Sequence, residues 1–322
     1  MYQRLINHMQ FSVVTSIYKD GYLARDFCRE IASVFSEYLN IDKKDLSSIL
    51  EIILVNDGSP DNSLQILLDI KSEFEYVKVV DLSRNFGQHQ ALACGFRIAN
   101  GQFVIRVNVD MQDHPRELPK LLEPIVNDRA DLAIGQYSVR NSPWLNGVTA
   151  FIYFETFKFL TGLRVHQQTS PMRVMNRLFI DAYNGLTEKS RFPQGLDNWL
   201  GFRQVYLRID HLPRSDGKSS YNFRSRTALA VTGILYFTDR PLKLIGLLGL
   251  WIAVFGVLLG MGVIILKMFG SPLIPGYASI ASIVLIGFGL QIGLLGIIGL
   301  YIGRIFREVQ NRPLYIVRKT FF

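Results

Sequence analysis

Residues Phe103 to Glu117 read FVIRVNVDMQDHPRE, an apolar strand that runs out into a cluster of oxygen-bearing side chains. Phe103, Val104, Ile105, Val107 and Val109 are β-branched or aromatic, which suits a buried, pleated strand. Asp110, Gln112 and Asp113 follow at once. Ligands of open α/β sheets collect outside the carboxyl ends of strands. Hard divalent cations such as Mg2+ or Mn2+ take carboxylate and amide oxygens there, drawing the rest of their shell from phosphate and water. The competing reading is a polar loop that only turns the chain, so the neighbouring segments decide.

Those neighbours alternate strand and helix in the way that builds a parallel sheet. Strands are expected at Phe11 to Ile17, Ile52 to Asn56, Val77 to Leu82, Phe103 to Val109 and Leu132 to Gly135. Helices are expected near Tyr22 to Tyr38, Ser63 to Glu73, Gln88 to Ala99 and Pro119 to Asn127. The segment Glu51 to Ser63, EIILVNDGSPDNS, is a second strand ending in an acidic, Gly-containing turn. Asp57 there can accept hydrogen bonds from a base or ribose, and Gly58 lets backbone approach closely. Two such strand ends on one sheet edge say more than either alone.

The second half has a different character. Leu244 to Leu266 and Ala278 to Gly303 carry no charged residue, and about 20 apolar residues suffice to cross a bilayer as a helix. Two transmembrane helices, near 244–266 and 278–303, are therefore expected. Arg224, Arg226, Arg240 and Lys243 precede the first, and Arg304, Arg307, Arg312, Arg318 and Lys319 follow the second, while the link Lys267 to Tyr277 holds a single Lys. The positive-inside rule then puts both termini and the N-terminal domain in the cytoplasm of a multi-pass inner-membrane protein. The formal net charge of +8 reads as attraction to anionic lipid. No basic helix with interleaved aromatics is present, so no nucleic acid is expected as a partner. Met1 to Gln10 has no apolar core, so no cleavable signal is expected. Cys28 and Cys94 form no disulfide framework and fit a reducing compartment.

Six separated stretches resemble one family. They are Glu51 to Ser63, Ser83 to Gly87 (SRNFG), Asp110 to Pro119, Pro213 to Tyr221 (PRSDGKSSY), Arg240 to Gly249 (RPLKLIGLLG) and Tyr301 to Val317 (YIGRIFREVQNRPLYIV). Together they resemble the family 2 glycosyltransferases of the GT-A fold, and within them the polyprenyl-phosphate glycosyltransferases, such as dolichyl-phosphate mannose synthases and bactoprenol glucosyltransferases. The resemblance implies a Rossmann-like α/β nucleotide-sugar domain over 1–221, an interfacial amphipathic segment over 222–240, a two-helix transmembrane hairpin within 241–303 and a basic cytoplasmic tail over 304–322. It implies a nucleotide-sugar donor, a UDP-sugar first, an undecaprenyl phosphate or similar acceptor, and a Mg2+ or Mn2+ cofactor. Asp57 matches the nucleoside contact, Asp110 the metal-binding acid, and Gln112 the amide beside it. Tyr18, Asp20, Arg84, Asn108 and Arg140 join the nucleotide-contacting set. Arg214, Lys218, Ser219 and Tyr221 match the loop over donor diphosphate and acceptor phosphate, and Arg214 and Lys218 would stabilise the leaving diphosphate. The family can be oligomeric, and the Gly-rich spans permit close helix contacts.

Three departures matter. The family start P-x-Y-N-E is here Ser16 to Asp20, keeping the Tyr and a shortened acid; Asn108 replaces the first acid of the DxD-like motif; and Ser170 to Arg173 replace G-D-F-R. A phosphate monoester, with a second pKa of about 6, is already ionised at neutral pH and needs no strong base. The missing acid thus fits a phosphate acceptor. Asp197, in QGLDNWLGF, is the candidate base if the acceptor is instead a hydroxyl of a lipid-linked glycan, and a structural ion pair or cap otherwise. A non-catalytic membrane scaffold with a degenerate metal site is the alternative from another class.

Overall fold

A computed structural model describes residues 10–137, 155, 159, 168–188, 193–210, 240–269 and 276–322. The chain divides into two compact units. One joins Met1–Thr149, Leu163–Ser220 and Pro313–Phe322; the other joins Ala150–Gly162 and Tyr221–Arg312.

The first unit is built on β1 (Phe11–Ile17), β2 (Leu50–Asn56), β3 (Val77–Leu82), β4 (Phe103–Arg106), β5 (Leu132–Tyr137), β6 (Thr169–Asn176), β7 (Gln204–Ile209) and β8 (Val317–Phe321). They form one sheet in the order β7-β5-β6-β4-β1-β2-β3-β8. β3, β2, β1 and β4 run parallel, β6 is antiparallel to both β4 and β5, and β8 is antiparallel to β3. Strands covered on both faces read as continuous apolar runs. In β1, Phe11, Val13, Val14 and Ile17 are all fully buried.

Helices α1 (Ala24–Leu39), α2 (Ser63–Glu73), α3 (Gln88–Ile98) and α4 (Leu118–Val126) connect the early strands, and α5 (Arg177–Gly185) and α6 (Pro193–Leu200) follow β6. α1 buries Ala24, Phe27, Cys28, Ile31, Phe35 and Leu39, a stripe at helical spacing that faces the sheet. It stops where Asn40 turns left-handed at φ 52°, a residue type that tolerates that conformation. Pro119 stands in the first turn of α4, where its missing N–H costs nothing.

The expected strands and helices up to residue 137 are found, with one informative difference. β4 ends at Arg106 rather than Val109. Its ladder with β1 stops at the Val14–Arg106 pair, and Met111 then adopts φ 48° with its N–H on the Asn108 carbonyl at 3.2 Å. The acidic motif therefore sits on a tight turn beyond the sheet. β6, β7 and β8 lay outside the sequence expectations, and β8 falls within the stretch read as a basic tail.

The second unit contains α7 (Arg240–Met268) and α8 (Tyr277–Val309). Among the described residues one stretch, Gly287–Val309, 23 residues long, has the length and apolar character to cross a bilayer, with a mean hydropathy of 1.6 in an 18-residue window. Residues 222–239 of the segment expected to be interfacial and amphipathic fall outside the described residues.

Candidate functional site

The chain leaves β1, β2, β3 and β4 at one edge of the sheet, and most described candidate residues gather in the four loops that follow. Strand order reverses between β1 and β4, the place where open sheets form a crevice. Lys19, at φ 66°, donates its backbone N–H to Ser59 Oγ at 3.1 Å, which ties the loop after β1 to the loop after β2.

Asp57 is 2% exposed at the end of β2. Its Oδ1 accepts from Phe86 N at 2.7 Å and its Oδ2 from Gly87 N at 2.9 Å. Burial raises its carboxyl above the usual range, against those two bonds and the nearby Arg84. The side chain thus organises the Ser83–Gly87 loop. Arg84 lies over the Phe86 ring, 4.2 Å from its centroid, and donates to the Asn85 carbonyl at 3.1 Å.

Gly58 explains why the turn needs glycine. Its φ is +60°, and a Cβ there would stand 2.2 Å from the Arg84 carbonyl carbon and 2.6 Å from Asn85 N. Those are backbone atoms that cannot swing away. Gly58→Ala is expected to cost on the order of 1–3 kcal/mol in backbone strain. Thermal unfolding should show a Tm several degrees lower, and titration should show weaker binding of whichever nucleoside diphosphate the native protein prefers. An unchanged Tm and affinity would remove the close approach from the argument.

The metal-motif residues divide by exposure. Asp110 is exposed, Asn108 and Gln112 half-buried, and Gln112 N lies 3.4 Å from Asp110 Oδ1. Gln88 Nε2 donates to Asn108 Oδ1 at 3.3 Å. Asp113 instead turns inward, 4% exposed, and accepts from Ser170 Oγ, which in turn accepts from Met172 N at 2.8 Å. Pro171 takes the place of the acid in the family pattern, and Ser170 before it is occupied in holding Asp113. Asp20 has its carboxyl raised by burial and then by the charges of Asp110 and Asp61, so Asp20 and Asp110 repel each other across the crevice.

Among the described residues no group of three or more His, Cys, Asp or Glu side chains is placed to hold a metal. One free carboxylate with an amide beside it still fits a hard cation that takes its remaining ligands from phosphate and water. Tyr18 is 41% exposed with Lys19 Nζ 5.3 Å from its ring centroid. Arg140, Arg214, Lys218, Ser219 and Tyr221 lie outside the described residues.

Asp197 sits elsewhere, in a chamber under α3, α5 and α6 lined by His89, Arg106, Arg173, Tyr183 and Asp197 among others. It is 2% exposed, with Oδ2 3.0 Å from Arg173 Nη2. Burial lowers Arg106 to about 10, assisted by Arg173, and burial with both arginines lowers His89 to about 4. Arg106 and Arg173, cross-strand neighbours, were absent from the sequence expectations, although an arginine inside the apolar run FVIRV is a visible signal. A larger cavity of about 250 Å3 lies at the opposite sheet edge. Its Glu51 is already bonded to Ser12, Lys78 and Asn100, so it offers no chemistry comparable to the crevice.

Residues 27–183 match the model of Glycosyl transferase family 2. The chain is also 34% identical over 267 residues to an uncharacterized glycosyltransferase of Synechocystis sp., covering 83% of this chain and 84% of that one. It belongs to the family 2 glycosyltransferases, and the sheet described above is their GT-A fold. Two further relatives are an undecaprenyl-phosphate 4-deoxy-4-formamido-L-arabinose transferase of Proteus mirabilis, 31% identical over 86% of each chain, and a prophage-derived bactoprenol glucosyl transferase of Shigella flexneri, 31% identical over 84% of this chain and 88% of that one. Among solved structures, the chain is similar to a mannosyltransferase of Pyrobaculum calidifontis in complex with GDP-Man and Mn2+. There the TM-score is 0.49 at 13% identity, covering 71% of this chain and 64% of that one.

Proposed function

We propose that this glycosyltransferase moves a sugar from a nucleotide-sugar donor, a UDP-sugar first, to the phosphate of a polyprenyl phosphate, with inversion at the anomeric carbon. The observation that carries the reading is the shared edge, where Asp57 holds the Ser83–Gly87 loop at one end and Asp110 stands exposed beyond β4 at the other. The first end suits a nucleoside and the second a diphosphate.

Asp110 and Gln112 would hold Mg2+ or Mn2+, which when bound neutralises the charge that builds on a departing nucleoside diphosphate. Asp57 and Arg84 would orient the nucleoside, and Arg214 and Lys218 would meet the phosphates. The rest is positioning, because an ionised phosphate attacks without a base. Two relatives over 30% identical bear names that pair sugar transfer with undecaprenyl phosphate and with bactoprenol. The apolar stretch Gly287–Val309 fits an enzyme that meets a lipid at the bilayer, and a two-helix hairpin with cytoplasmic termini is the proposed anchoring.

Purified protein given polyprenyl phosphate, Mg2+ or Mn2+ and a panel of nucleotide sugars is expected to yield a lipid-linked monosaccharide, detectable by mass spectrometry. Complete absence of that product across the panel would overturn the proposal.

A further inference from the structure

We propose that Arg318, on the C-terminal strand, is a positioning residue for the donor loop Ser83–Gly87. The proposal rests on the reading of that loop as part of the nucleotide site. Strand β8 pairs with β3 through Val79–Phe321, Val80–Thr320 and Asp81–Lys319, then through Leu82–Val317, with an irregularity between Asp81 and Leu82. Arg318 is the residue left over. A bulge of this kind leaves one residue outside the ladder and re-aims its side chain, commonly beside a functional site.

The re-aimed guanidinium meets two acceptors at the end of β3. Its Nη2 donates to the Ser83 carbonyl at 2.7 Å, and its Nη1 lies 3.4 Å from Asp81 Oδ2. Ser83 N donates to the Ile316 carbonyl at 2.9 Å. Both backbone groups of the loop's first residue are thereby committed to the C-terminal segment, a complete accounting of what it can bond.

The connection continues inward. Asp81, 2% exposed, accepts from Asn56 Nδ2 at 2.7 Å, and Asn56 Oδ1 accepts from Ser59 N at 3.3 Å. Asn56 directly precedes Asp57, whose carboxylate closes on Phe86 and Gly87. One side chain of the tail therefore fixes the start of the donor loop and, through Asp81, the strand end that receives it. A planar guanidinium reaches two acceptors at once, whereas an ammonium is a single point charge. Completion of an exposed sheet edge would explain β8 equally well if any residue served at 318.

The test uses the full-length protein in detergent, with Arg318→Ala, Arg318→Lys and, as a control on the same strand, Lys319→Ala. In nucleotide-free protein, Arg318→Ala is expected to speed hydrogen exchange of the Ser83–Gly87 amides about tenfold, as loss of a charged hydrogen bond implies. Lys319→Ala should leave those amides at the native rate. Titration with UDP and with GDP, each with Mn2+, should show Arg318→Ala weakening the preferred nucleotide about tenfold. Arg318→Lys should fall between, while the Tm of Arg318→Ala stays close to that of Lys319→Ala. Native exchange in Arg318→Ala, or equal acceleration in both alanine variants, would reduce β8 to an edge cover and overturn the proposal. A native protein that binds neither nucleotide would sink the functional reading instead, with the exchange result still deciding the role of Arg318.

Discussion

Asp110→Asn is expected to lower sugar transfer on the order of 10^3-fold, the upper end of what removing one charge-stabilising group from an active site costs. The size follows from how little else is present. Asn108 stands where a second carboxylate would share the load, and Asp113 is turned inward against Ser170. Asp20 is another acid near the crevice, and its raised carboxyl reports repulsion from Asp110 and Asp61 behind the effect of burial. A divalent cation needs one or two carboxylates besides phosphate, so the loss of Asp110 leaves an amide pair and no committed charge. Initial rates measured against Mn2+ concentration give the check. Asn108→Asp should shift the metal requirement to lower concentration, and Asp110→Asn should not be rescued by saturating metal. Nucleotide binding that ignores both metal and the Asp110 substitution would instead favour the non-catalytic scaffold.

Much of this architecture was legible in the residues themselves, for a physical reason. The parallel strands β1 to β4 are apolar on both faces, and their ends are punctuated by Asp57, Gly58 and Asp110, so period and punctuation agree. β6 and β7 were not legible because each is a short run interrupted by polar residues or proline, Pro171 and Arg173 in one and Gln204 and Arg208 in the other, and each is held by long-range pairing with β5. β8 was hidden by its charge. Arg318 and Lys319 belong to a cluster that flanks an apolar span and reads as lipid attraction. The same side chains also serve a sheet edge, with Lys319 lying over the Phe321 ring at 4.9 Å. The inward turn of Asp113 could not be read either, because it depends on Ser170, distant in sequence and brought close only when β6 pairs with β4.

Asp197→Asn is expected to destabilise the protein by about 3–5 kcal/mol, the cost of removing one partner from a buried ion pair. Arg106 and Arg173 are each 6% exposed, and Arg173 loses the carboxylate 3.0 Å from its Nη2. Arg106 is already lowered to about 10 by burial and by Arg173, so a neutral residue at 197 leaves two neighbouring guanidiniums that repel. The double variant Arg173→Met with Asp197→Leu should recover most of the loss, since it removes the repelling cation along with its partner and replaces both by apolar volume. Denaturant unfolding of the three proteins measures this directly. The same variants separate the two acceptor chemistries. If the acceptor is a hydroxyl and Asp197 its base, Asp197→Asn assayed below its unfolding transition should lose about 10^2- to 10^4-fold in kcat. If the acceptor is an ionised phosphate, kcat per folded molecule should stay near native while stability falls. The second outcome is favoured because the buried carboxylate is already held against Arg173, at 3.0 Å from its Nη2.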